Sequence, residues 1–89
     1  MGKPIICVGD QTSHGGVVIV GTPTTTINGK MVARVGDQVT CPQHGHGGTT
    51  VIVSGDATMM VDGKPVARHG DKTACGADLI ASQMTATTG

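Results

Sequence analysis

The sequence predicts an all-β fold, short β-hairpins set around a pseudo-threefold axis and closed circularly by the N- and C-terminal strands, with little or no helix. Three observations predict it. One segment is written three times within 89 residues: Gly2-Lys3-Pro4-Ile5-Ile6-Cys7-Val8-Gly9-Asp10, Gly29-Lys30-Met31-Val32-Ala33-Arg34-Val35-Gly36-Asp37 and Gly63-Lys64-Pro65-Val66-Ala67-Arg68-His69-Gly70-Asp71. Repetition on this scale marks a repeat architecture. Asn28-Gly29 and Asp62-Gly63 are two-residue hairpin signals, because both central residues must accept positive φ. No segment sustains a 3.6-residue apolar period.

Length and composition bound the answer further. A chain of 89 residues has room for one small domain. It has no Phe, Tyr or Trp, so Val, Ile, Ala and Met must fill any interior. Fifteen glycines reduce the apolar area and raise the entropy lost on folding. Such a chain needs a staple: disulfides, a metal or a partner. Net charge is +0, with no basic cluster and no stacking aromatics, which argues against nucleic acid. The Val17–Val20 run is too short to span a bilayer. The N-terminus lacks the features of a secretory leader, so any export is expected to use another route. Three cysteines, an odd number, point to a reducing compartment rather than a closed disulfide framework.

Aligning the copies gives a register for the elements in order. Gly9, Gly36 and Gly70 correspond, at spacings of 27 and 34 residues. Gly21 matches Gly55, and Asn28-Gly29 matches Asp62-Gly63, all 34 apart. The seven extra residues of the middle copy therefore lie between Cys41 and Thr49, as Pro42-Gln43-His44-Gly45-His46-Gly47-Gly48. Val17–Val20 and Val51–Val53 read as short β-branched strands. Thr24–Ile27 and Thr58–Val61 lead into the two hairpin turns, and Lys30–Arg34 and Lys64–Arg68 leave them. Cys75–Ser82 tracks His14–Gly21, and the chain stops at Thr88-Gly89, where the first copy has Ile27-Asn28. The missing next strand stands at the N-terminus, so Met84–Thr88 is expected to pair with Lys3–Cys7. Residues 2–28, 29–62 and 63–89 then form three equivalent sectors, and closure removes exposed strand edges. The competing expectation is a frayed tail from Thr85.

Five residues after each repeat glycine comes His14, Cys41 or Cys75. Three equivalent positions holding only His or Cys can converge on the axis. Zn²⁺ takes such ligands, and a closed structural site requires a fourth. The insert offers His44, at tight spacing from Cys41, with His46 as the alternate ligand; both histidines with one cysteine omitted is a further arrangement. A Cys41–Cys75 disulfide is the competing staple. Cys7 stands in the slot of Arg34 and Arg68 and reads as a packed thiol, and His69 as a strand-end surface residue. Asp10, Asp37 and Asp71 could be three convergent carboxylates, but Gly-Asp at a strand end reads better as an Asx-type turn, with Arg34 and Arg68 near enough to pair. No nucleophile–base pair, phosphate loop or H-E-x-x-H element is present, so no catalytic residues and no enzyme activity are expected.

Pro65-Val66-Ala67-Arg68 and Met31-Val32-Ala33-Arg34 resemble the Pro-Ala-Ala-Arg signature of the PAAR-repeat family. Asn28-Gly29-Lys30, Gly36-Asp37, Cys41-Pro42-Gln43-His44-Gly45 and Cys75-Gly76 are similar to its other marks. Val replaces the first Ala in both copies, and Met replaces Pro in one. The resemblance covers essentially the whole chain. It implies a zinc-stapled cone whose base caps the trimeric valine-glycine-repeat spike of the bacterial type VI secretion system, one copy per trimer, sharpening it for membrane piercing and effector delivery. The protein would be made in the cytoplasm without a signal peptide and exported by that system. No homo-oligomer and no appended toxin domain are expected, and cargo would be carried non-covalently or on another subunit. The family's zinc site of three histidines and one cysteine carries over directly to His14 and Cys75. The alternative function is a stand-alone zinc-binding or thiol redox module.

Overall fold

The computed structural model describes residues 3–42 and 48–82 and the backbone of 87–88. Its described residues hold ten short strands and no helix, and every strand pairs antiparallel with one partner. The chain is elongated along one axis, 33 × 23 × 23 Å, with two equal short dimensions.

Hairpin β3 (Thr22–Ile27)–β4 (Lys30–Val32) and hairpin β7 (Asp56–Val61)–β8 (Lys64–Val66) turn at the two predicted dipeptides. Asn28 and Asp62 both have φ 53°, and Gly29 and Gly63 follow at 80° and 79°, the paired positive φ of a type I′ turn. The entering strands are less regular than their sequence suggests. Thr22 pairs with Val32 and Thr26 with Met31, so Pro23, Thr24 and Thr25 bulge out; Ala57, Thr58 and Met59 do the same between Asp56↔Val66 and Met60↔Pro65. The cause is local capping: the Thr24 N–H donates to Thr22 Oγ1 (3.3 Å) and the Thr58 N–H to Asp56 Oδ1 (2.9 Å).

The third hairpin is the closure. β1 (Lys3–Pro4) pairs with β10 (Thr87–Thr88) in the register Lys3↔Thr88 and Pro4↔Thr87. These pairs stand where Lys30↔Ile27 and Met31↔Thr26 stand in the first hairpin. Met84, Thr85 and Ala86 lie outside the described residues. A permutant joining residue 89 to residue 1 and opened between Asn28 and Gly29 should fold; a circular dichroism spectrum and cooperative melt like those of the parent would confirm it, and an unfolded permutant would refute the closure.

The remaining backbone bonds repeat around the axis. The Ala33 N–H donates to Ile6 O (2.9 Å), Ile6 N–H to Ala67 O (3.0 Å) and Ala67 N–H to Ala33 O (3.0 Å), a closed triangle of buried peptides. Val17–Val20 does not form a continuous strand. Val18 N–H bonds Asp10 O in its own sector, while Ile19 N–H bonds Gln38 O and Thr40 N–H bonds Val17 O in the next. The run is shared between two neighbours, which is how the sectors are sewn together; Ile52 and Val53 do likewise with Asp37 O and Lys72 O.

Equivalent side chains stack as sets of three. Ile5, Val32 and Val66 form one buried set with Cys7 beside them; Ile6, Ala33 and Ala67, then Val18, Ile52 and Leu79, form the main core. Thr12, Val39 and Thr73, 5%, 0% and 2% exposed, stand two residues before the His/Cys positions.

The three aspartates are turn fasteners. Oδ2 of Asp10, Asp37 and Asp71 accepts the N–H of Cys7, Arg34 and Arg68, each at 2.8 Å. The arginines also pair with these carboxylates, Arg34 Nη2 with Asp37 Oδ1 at 3.1 Å and Arg68 Nε with Asp71 Oδ2 at 3.3 Å. Both pairs are largely buried, so removing one partner strands the other's charge away from water. Asp37→Ala leaves Arg34 and its N–H without this acceptor and should cost about 3 kcal/mol, read as a lower urea midpoint. A midpoint within error of the parent would refute it.

Candidate metal centre

Two of the three equivalent turns are built alike. His14 follows β2 (Gln11–Thr12), in a turn closed by Gly15 N–H to Thr12 O (3.0 Å) and Thr12 N–H to Gly16 O (2.9 Å). Cys75 sits in the corresponding turn, with Gly76 N–H to Thr73 O (3.0 Å) and Thr73 N–H to Ala77 O (2.9 Å). Gly15 and Gly76 take φ 83° and 88°, which β-carbon-bearing residues adopt with strain. Thr12 Oγ1 and Thr73 Oγ1 fasten each turn by accepting the N–H of Gly16 (3.0 Å) and Ala77 (3.1 Å). In the middle sector a hairpin stem replaces the turn. β5 (Gln38–Cys41) pairs with β6 (Gly48–Val51), Cys41 opposite Gly48, so the insert located by counting starts where this stem ends.

These elements bring His14, Cys41 and Cys75 together, with donor atoms all within 4.8 Å of one another. Cys41 Sγ is 3.9 Å and Cys75 Sγ 3.7 Å from His14 Nδ1, and the two sulfurs are 3.0 Å apart. All three cysteines are thiols. The residues fit a metal ion: two sulfurs and an imidazole suit a borderline or soft cation and not Mg²⁺ or Ca²⁺, which take oxygen. The nitrogen–sulfur separations match about 3.6 Å, the edge that Zn–N and Zn–S bonds span at a tetrahedral angle. The sulfur pair is closer than the corresponding edge of about 3.8 Å, so holding zinc requires it to open. His44 and His46, the expected fourth ligand and its alternate, lie outside the described residues.

Burial opposes charge on Cys75, but hydrogen bonds from Cys41, Thr73 Oγ1, His14 and the Ala77 N–H outweigh it and bring the thiol from 9.0 down to about 5. The folded form thus binds fewer protons than the unfolded chain between these values. The stabilisation is complete above pH 9, declines on acidification and is gone below about 5. Thiolate ligation follows the same direction, so metal should be retained after dialysis at pH 7 and lost below pH 5. Elemental analysis across the series checks it; retention at pH 4 would refute it.

The other singled-out residues lie elsewhere. Cys7 packs with Ile5, Val32 and Val66, and burial, followed by the charge of Asp10, raises its thiol. His69 is exposed, and its Nδ1 accepts the Ala81 N–H at 3.1 Å. Sequence reasoning passed over three supporting hydroxyls. Thr12 and Thr73 could have been found, since Thr recurs three residues after two of the repeat glycines. Thr50 Oγ1, which accepts the Cys75 N–H at 3.1 Å, carries no such signal.

Fold and site together define a small, circularly closed β protein whose three sectors bring His14, Cys41 and Cys75 close enough to bind one metal ion. The family model of the PAAR motif matches residues 8–81, and the chain belongs to this family. No curated protein matches it in sequence.

Proposed function

We propose that this protein is a structural spike tip: it caps the trimeric valine-glycine-repeat spike of the bacterial type VI secretion system, one copy per trimer. The closed peptide triangle of Ile6, Ala33 and Ala67 carries this reading. It makes one chain threefold at its centre, so a single copy can match a threefold partner sector for sector. Family membership supports the spike as that partner. On this reading the base meets the spike, the metal cluster stiffens the point, and the assembly delivers effectors through a target envelope. Zinc is the proposed metal, with His14, Cys41 and Cys75 as ligands and His44 or His46 completing the set. The role is mechanical rather than catalytic: the three carboxylates that could have formed an acid–base site are engaged in holding turns. The protein would be made in the cytoplasm and exported by the system itself.

Co-purification with candidate spike trimers, under reducing conditions and with zinc measured on the same sample, tests this. One tip per three spike chains and one zinc per tip is the expected result. A metal-loaded protein that binds no spike trimer, yet turns over a thiol substrate, would favour a stand-alone redox module.

A further inference from the structure

We propose that Cys41 and Cys75 form a redox pair that closes to a disulfide when the metal leaves, exchanging one staple for another at the same point of the fold. The inference rests on the metal-binding reading of the cluster and adds to it a second, covalent state.

The geometry points to this exchange. The sulfurs stand 3.0 Å apart. A disulfide requires about 2.05 Å, and two sulfurs on one zinc stand about 3.8 Å apart. Each state is therefore reached by a displacement of about 1 Å or less from this arrangement. The two cysteines are also mounted differently. Cys41 is 1% exposed and ends a paired strand, whereas Cys75 is partly exposed and sits on a turn whose next residue is a glycine at φ 88°. Solvent access therefore belongs to Cys75. Cys7, the third thiol, is buried in a separate apolar cluster.

The oxidant is a small disulfide such as glutathione disulfide. Cys75 Sγ attacks one of its sulfurs and expels the first small thiol, leaving a mixed disulfide. Cys41 Sγ then attacks Cys75 Sγ and expels the second. Two electrons pass from the protein sulfurs to the oxidant, and the two protein thiol protons end on the two released thiols. No other reactant is consumed.

The experiment uses the full chain, incubated with glutathione disulfide either with chelator or with saturating zinc, then alkylated and peptide-mapped. With chelator, a Cys41–Cys75 bridge should dominate, with Cys7 alkylated. Saturating zinc should slow its formation about tenfold or more, because only the metal-free fraction reacts. In zinc-loaded protein, a metallochromic dye should report one ion released per bridge formed. Cys41→Ser should trap a lasting mixed disulfide on Cys75, and Cys75→Ser should leave Cys41 alkylatable. Three alkylatable thiols after treatment with chelator, or bridges to Cys7 in comparable yield, would overturn the proposal. A bridge forming equally fast with zinc would instead overturn the metal reading and leave the thiol pair standing.

Discussion

His14→Ala is expected to leave the protein without its metal and to lower its melting temperature by about 20 °C. The reason is how little else holds the point of the fold. The main core consists of Ile6, Val18, Ala33, Val39, Ile52, Ala67 and Leu79, without one aromatic ring. Among the described residues, the next repeat positions add only the buried Thr12 and Thr73 and the His14/Cys41/Cys75 set. A structural metal that binds only the folded form contributes about 10 kcal/mol in small domains. At about 4–8 °C per kcal/mol, losing even a third of that moves the midpoint by about 20 °C. Chelator should lower the parent's midpoint similarly and leave that of His14→Ala unchanged. His14→Cys, which puts the ligand of the other two sectors at this position, should restore much of the loss. A parent protein whose melt is indifferent to metal removal would refute the stapled cone.

Gly16→Ala should cost about 3 kcal/mol or more and weaken metal retention in the same step. A β-carbon at Gly16 would lie 1.8 Å from Thr40 O and 2.9 Å from Thr40 C. Both are backbone atoms, so relief requires the chain itself to move, and overpacking of this kind reaches or exceeds 3 kcal/mol. Thr40 precedes Cys41 and is tied to the same place by Thr40 N–H to Val17 O (2.8 Å) and Val17 N–H to Thr40 Oγ1 (2.8 Å). Displacing it displaces a ligand. The threefold repeat alone suggests the opposite result, because the equivalent residue in the last sector is Ala77, buried and accommodated. Urea denaturation and zinc content of the purified variant decide the matter. Parent-like stability would mean that the first and second sectors can separate here without penalty.

Much of the architecture was legible because the repeat supplies an internal alignment. Counting between Gly9, Gly36 and Gly70 located the insert, and the structure starts a hairpin stem at its edge, Cys41 opposite Gly48. The same counting paired Lys3 with Thr88, which no local signal in Thr87-Thr88 would have suggested. Asn28-Gly29 and Asp62-Gly63 specified their turns through φ alone. Local pattern misled at Val17–Val20, since a β-branched run states a preference for extended backbone without naming the partner. There the backbone divides its hydrogen bonds between two neighbours.

The sequence by itself determined the register of the repeats, the hairpin turns and the three positions that meet in the His/Cys cluster. All of these follow from spacing along the chain, which a sequence displays directly. Only the tertiary structure decided the separations among His14, Cys41 and Cys75, the engagement of Asp10, Asp37 and Asp71 as turn fasteners, and the contact that forbids a side chain at Gly16 but admits one at Ala77. Those depend on how closely non-neighbouring backbones approach. That distance is set by the packing of all three sectors at once, and no single repeat encodes it.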